Sequence, residues 1–79
     1  MRSRTRKAVF AFDTTVQAMK MEHVCLERQL PGKLIAVPRE ITAGCGMAWS
    51  VPWNVKDEVK EAAEKAGVTV QGIYDLMLY

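Results

Sequence analysis

A four-stranded antiparallel sheet with two helices on one face, in the order βαββαβ, is the α+β architecture the sequence predicts. Three observations carry it. The strand-like runs KAVFAF, KLIAV and MAWSV are separated as strands and helices should be. A helical stretch after Asn54 has one apolar stripe facing away from its charges. With 79 residues there is room for a single modest core and no second unit.

Lys7 to Phe12 is nearly continuous in apolar residues, as expected of a central strand covered on one face and partly on the other. Asp13, Thr14 and Thr15 then offer helix caps, and Thr14 with Gln17 fits a capping box, in which each side chain satisfies an unpaired backbone donor. The helix that follows runs to about Gln29. It has two apolar groupings, Ala18, Met21 and Cys25 on one side and Met19, Leu26 and Leu30 on another, and the pattern does not choose between them. Leu30, Pro31 and Gly32 end it, because proline cannot continue the helical bonding. Lys33 to Val37 reads as the second strand, stopped by Pro38.

After a loop, Met47, Trp49 and Val51 share the inward face of a third strand. Asn54, with Asp57 three residues on, opens the second helix. Its stripe of Val55, Val59, Ala62, Ala63 and Ala66 lies opposite six charged residues between Lys56 and Lys65. Gly67 is its C-cap, and Val68 to Ile73 or Tyr74 forms the last strand. This succession is the split βαβ arrangement of ferredoxin-like folds, which serve unrelated functions. Residues 1–5 are expected to be a basic flexible arm and 6–79 the one domain.

Apolar residues at 49% and charged ones at 25% describe a globular chain. No apolar run approaches the ~20 residues that span a bilayer, and MRSRTRK leads to no cleavage site, so a cytoplasmic protein without a membrane partner is expected. Arg2, Arg4, Arg6 and Lys7 cluster at the start, and a short basic stretch of this kind is read as a solvated tail. Two cysteines are too few for a disulfide framework, and both are expected as thiols. His23 and Cys25 point about 200° apart on a helix, which disfavours a metal site. No cofactor loop is visible, neither a P-loop nor a dinucleotide fingerprint, and this argues against a free-standing enzyme.

The chemically suggestive segment is Pro38 to Gly46, Pro-Arg-Glu-Ile-Thr-Ala-Gly-Cys-Gly. Nine residues are long for a connection between strands. Gly44 and Gly46 flank Cys45, removing bulk and allowing backbone N–H groups to turn toward the sulfur; Arg39 can add positive charge, and both lower a thiol pKa. On spacing alone, a tight turn with a small apolar residue at its centre and a solvated Arg39–Glu40 pair is an equal reading. Cys25, in register with Ala18 and Met21, reads instead as a small buried side chain.

From about Val9 to Tyr74 the sequence resembles a small bacterial family of selenium or sulfur carrier-like proteins. The resemblance rests on VFAFDTT, Ala18, Glu22, the run Val37-Pro38-Arg39-Glu40-Ile41-Thr42, then Cys45-Gly46-Met47-Ala48, and Gly72-Ile73-Tyr74. Cys25 departs from it, standing where the family tends to have a large aliphatic residue, and the basic start is longer than usual. The resemblance implies a carrier holding sulfur or selenium on Cys45 as a persulfide-type adduct, supplied by a cysteine desulfurase-type donor and passed to an acceptor protein. A homodimer is a further possibility. Two other readings stand beside it: an interaction module without redox chemistry, and an RNA-binding domain stacking bases on Phe10 or Phe12 and Trp49. The second lacks the basic, glycine and aromatic run that such domains carry, so nucleic acid is not expected as a partner.

Overall fold

The computed structural model describes residues 5–38 and 46–78. Its elements follow the predicted order: β1 (Thr5–Ala11), α1 (Thr15–Glu27), β2 (Lys33–Ala36), β3 (Met47–Pro52), a 3₁₀ turn (Trp53–Val55), α2 (Lys56–Ala66) and β4 (Gly72–Leu78). The strands form one antiparallel sheet in the order β2-β3-β1-β4, with Phe10 opposite Trp49 and Ile73. This is the expected ferredoxin-like α+β fold.

Both helices lie on the same face. Phe10, Phe12, Trp49 and Val51 from the sheet side pack with Met21 and Cys25 of α1 and Val59 and Ala63 of α2 in one core cluster. The stripe predicted on α2 is the stripe that is buried: Val59 is 0% exposed and Ala62 and Ala63 nearly so. On α1 the choice left open by the sequence falls to Ala18, Met21 and Cys25, joined by Val24, while Val16, Met19 and Leu26 face solvent. The buried set is the one that packs with Trp49 and the rest of the core cluster.

Several boundaries differ from expectation, each for a local reason. Thr14 caps α1, the Gln17 backbone N–H donating to its Oγ1 at 3.4 Å, but the reciprocal half of the capping box is absent: Gln17 Oε1 accepts from the Thr69 N–H at 2.9 Å instead. Asn54 does not cap α2. A 3₁₀ turn stands there, and α2 begins at Lys56 with no side-chain cap, its first turn carrying Asp57 and Glu58 where the helix dipole favours acids. The last strand starts at Gly72 and not at Val68. The Val68 N–H is taken by Ala63 O at 2.9 Å in closing α2, and its side chain is buried in the core, so pairing with β1 begins only where the Gln71 N–H reaches Ala11 O at 2.7 Å. Pro52 extends β3 by one residue, Thr5 and Arg6 extend β1, and Val37 lies just beyond β2.

Trp49 closes the core beneath the turn before β2. An added Cβ at Gly32, whose φ is 145°, would lie 2.4 Å from Trp49 Nε1, so the turn can pass over the indole only as glycine. Arg6, counted in the sequence with the solvated start, is instead part of the fold. Its guanidinium donates to both carboxylate oxygens of Asp75 at 2.9 and 2.7 Å and lies 3.9 Å from the centroid of a Trp53 ring, with Lys56 Nζ 4.6 Å from that ring.

Candidate functional site

Strands β1 and β2 run one way and β3 and β4 the other, so one end of the sheet gathers the end of β1, the start of α1, the β2–β3 connection, the end of α2 and the start of β4. Among the described residues, three hydrogen bonds fasten that end across the chain. The Val37 N–H donates to Gly46 O at 3.0 Å, one step beyond the last strand pair, Ala36 with Met47. Gln71 is bonded to Ala11 and Thr69 to Gln17, as above. The segment 38–45 therefore leaves from and returns to a closed, hydrogen-bonded stem.

Of the sequence-predicted site residues, Pro38 and Gly46 belong to this stem. Arg39, Glu40, Gly44 and Cys45 lie outside the described residues. Pro38 follows Val37 and is half-buried, and having no N–H it cannot extend the β2–β3 ladder. Gly46 has φ 76°, in the left-handed region, while an added Cβ there would meet nothing within 4 Å. The glycine after Cys45 is thus required by backbone direction and not by crowding.

The second thiol belongs to the core. Cys25 is 1% exposed, in the core between α1 and β3. Burial raises its pKa, since the thiolate would lose its solvation; the nearby Trp49 indole N–H opposes this more weakly, without forming a hydrogen bond of normal geometry, and Nε1 is buried with no partner. Cys25 is therefore a protonated core side chain, as its helix register indicated, and it fills a position suited to an apolar residue. His23, two positions away, faces solvent with Nε2 2.7 Å from Glu27 Oε1. Among the described residues no group of three His, Cys, Asp or Glu side chains could hold a metal ion.

The aromatic residues that an RNA-stacking surface would use are not available to it. Phe10 and Phe12 are fully buried and Trp49 is 3% exposed, all on the helix-covered side. Sequence reasoning placed Phe10 and Trp49 on the right strands, while Phe12 lies one residue past the end of β1; which face they occupy depends on where the helices lie. A cleft of about 380 Å³ opens between α2 and β4, lined by Lys60, Glu64, Val68, Val70, Gly72 and Ile73, none of them from the β2–β3 stem. Sequence reasoning missed Gln17 and Thr69 as a fastening of the site end. Their separation by 52 residues left no local signal for it.

No helix among the described residues is long and apolar enough to cross a membrane. No curated protein and no solved structure matches the chain significantly. The family described as "Putative Se/S carrier protein-like" matches over residues 7–75, a span that takes in most of β1, both helices, the whole β2–β3 connection with Cys45, and the first part of β4. The chain belongs to that selenium/sulfur carrier-like family.

Proposed function

We propose that this protein carries sulfur or selenium on Cys45, receiving the atom from a cysteine desulfurase-type donor and yielding it to an acceptor protein in the reducing cytoplasm. The observation that supports this reading most is the burial of the other thiol. Carrier chemistry needs an approachable sulfur, and Cys25 is 1% exposed with its pKa raised, which leaves Cys45 as the cysteine for the role. The stem bonded from Val37 to Gly46 gives the Cys45 segment a fixed base at the sheet end.

The transfer needs no cofactor. The Cys45 thiolate attacks the outer sulfur of the donor's persulfide; a new S–S bond forms as the donor's S–S bond breaks, and the donor cysteine leaves as a thiolate. The proton on the outer sulfur stays with it. Cys45 is oxidised to a persulfide as the donor is reduced to a thiol, so electrons balance without an outside oxidant. An acceptor nucleophile repeats the attack on the outer sulfur and releases Cys45 as a thiolate. Arg39 favours the thiolate in both steps through its charge, and Glu40, Gly44 and Pro38 belong to the binding loop.

The test is the intact mass of the protein after anaerobic, non-reducing incubation with a cysteine desulfurase and cysteine. The wild type and Cys25→Ser should gain one sulfur atom, Cys45→Ser should gain none, and Arg39→Ala should gain it more slowly. An adduct retained in Cys45→Ser would overturn the assignment. No adduct in any form, with sulfur or selenium, would favour an interaction module without redox chemistry.

A further inference from the structure

The second apolar face of the sheet, turned away from the helices, has Val9, Ala11 and Ala48 fully buried along its middle, with Leu76 and Leu78 packed against them. At the end of that face remote from the Cys45 segment the character changes. Strand register sets Lys7 opposite Pro52 and Lys33 opposite Ser50, and since alternate residues share a face, all four stand on the side of Val9 and Ala48. Together with Pro31 and Gly32, which are exposed, they line a cleft of about 310 Å³.

Charge and an unpaired hydroxyl point to one kind of ligand. Lys7 and Lys33 carry the only charges lining the cleft, and among the described residues neither has a carboxylate within ion-pair distance. Two ammonium groups facing one small volume repel each other, and an anion between them removes that cost. Ser50 is 4% exposed, yet its hydroxyl has no hydrogen-bond partner among the described residues, where buried polar groups are normally paired. Its oxygen is not sealed in the core as Trp49 Nε1 is, so the little it exposes opens on the cleft. Lys7 on β1 and Lys33 on β2 flank β3 from either side. Two strand spacings across and two residues along separate their Cα atoms by about 12 Å, a gap that two lysine stems close from opposite sides with Ser50 between them.

We infer that this cleft binds a small phosphate-type dianion, whose oxygens accept from the Lys7 and Lys33 ammonium groups and from the Ser50 hydroxyl. Lysine meets phosphate as a point charge, and two such charges match a dianion, whereas a carboxylate leaves one ammonium unpaired. The remaining walls, Pro31, Gly32 and Pro52, carry no side-chain hydrogen-bonding group, so recognition is confined to the anion itself. The site lies at the end of the sheet away from Cys45 and does not depend on the sulfur-carrying reading.

Isothermal titration calorimetry at low ionic strength, with inorganic phosphate, glycerol 3-phosphate and acetate as probes, tests this. Inorganic phosphate should bind saturably at one site, and acetate more weakly by at least about tenfold. Lys7→Gln, Lys33→Gln and Ser50→Ala should each weaken phosphate by at least about tenfold. Lys20→Gln removes the same charge from an exposed position on α1 and should leave binding unchanged, which separates the site from the net charge of the chain. The monoester identifies the source of the anion: binding tighter than inorganic phosphate assigns the cleft to the phosphate group of a larger metabolite, and equal or weaker binding assigns it to the free anion. Circular dichroism identifies any variant that fails to fold, and the two lysine variants suffice without Ser50→Ala. A wild type that binds no phosphate saturably, acetate bound as tightly as phosphate, binding kept in folded Lys7→Gln and Lys33→Gln, or an equal loss in Lys20→Gln would overturn the inference.

Discussion

Gly32→Ala is expected to be among the most damaging single-atom changes in the chain, although Gly32 is at the surface. Two independent costs meet there. The backbone φ of 145° belongs to a region nearly exclusive to glycine, worth about 1–3 kcal/mol for any other residue. The new Cβ would also stand 2.4, 2.7 and 2.9 Å from Nε1, Cε2 and Cζ2 of Trp49, where ordinary contact begins at 3.4 Å. Trp49 would have to retreat by about an ångström into the core, where it is 3% exposed and paired across β2 with Leu34; overpacking of this kind costs about 1–3 kcal/mol. The sum, about 4 kcal/mol, is a large share of the roughly 4–12 kcal/mol expected for a domain of this length. At about 4–8 °C per kcal/mol the melting temperature should fall by about 15–30 °C. The assay is urea unfolding followed by tryptophan fluorescence and by circular dichroism, repeated in a Trp49→Phe background. Phenylalanine lacks Nε1 and Cζ2, so about 1–3 kcal/mol of the Gly32→Ala cost should vanish there while the φ penalty remains. A Gly32→Ala loss below about 1 kcal/mol, or strict additivity with Trp49→Phe, would refute the reasoning.

Val59→Asp places an unpaired carboxylate at a fully buried position of α2 and should cost about 4 kcal/mol or more, seen as loss of the cooperative thermal transition; a melting temperature equal to wild type would contradict the helix placement. Cys25 should resist alkylation in the native protein and react only as fast as the domain unfolds, with tryptic peptides reporting which thiol is modified. Because burial raises its folded-state pKa, the stability contributed by the neutral thiol is complete below its ordinary pKa and declines as pH rises through the raised value. Asp75→Asn removes the Arg6 pair, and the folded-state pKa of Asp75 is depressed chiefly by that hydrogen bond. The wild type should therefore exceed the variant in urea midpoint near neutrality, and the difference should close as pH falls through the depressed pKa; a gap that widened in acid would show the sign to be wrong.

The candidate site was legible in part. The length of the Pro38–Gly46 segment, its two glycines and its cysteine stand out in the chain without any structure, and the register of Cys25 with Ala18 and Met21 marked that residue as core. The stem bond from Val37 to Gly46, the positive φ of Gly46 and the fastening of Gln17 to Thr69 were not legible, since each depends on backbone direction or on a partner distant in sequence.

What the sequence by itself determined was periodic and local. The order of elements follows from it, as do the single stripe of α2, with its Val59 and Ala63, and the nearly continuous KAVFAF run that announced a central strand covered on one face and partly on the other. Where two patterns competed, only packing decided. Met19 and Leu26 are as apolar as Met21, yet α1 turns Met21 inward because that side meets Trp49 and the sheet. Val68 to Val70 has strand propensity, but closing α2 consumes the Val68 N–H, and β4 starts later and runs through Leu76 and Leu78. Those two leucines complete the second apolar face, which lay outside any local reading because its residues come from four strands brought together by pairing across as many as 73 positions. Local periodicity reports which side chains share a face of one element; which faces meet is set by non-local burial, and that exists only once the chain has folded.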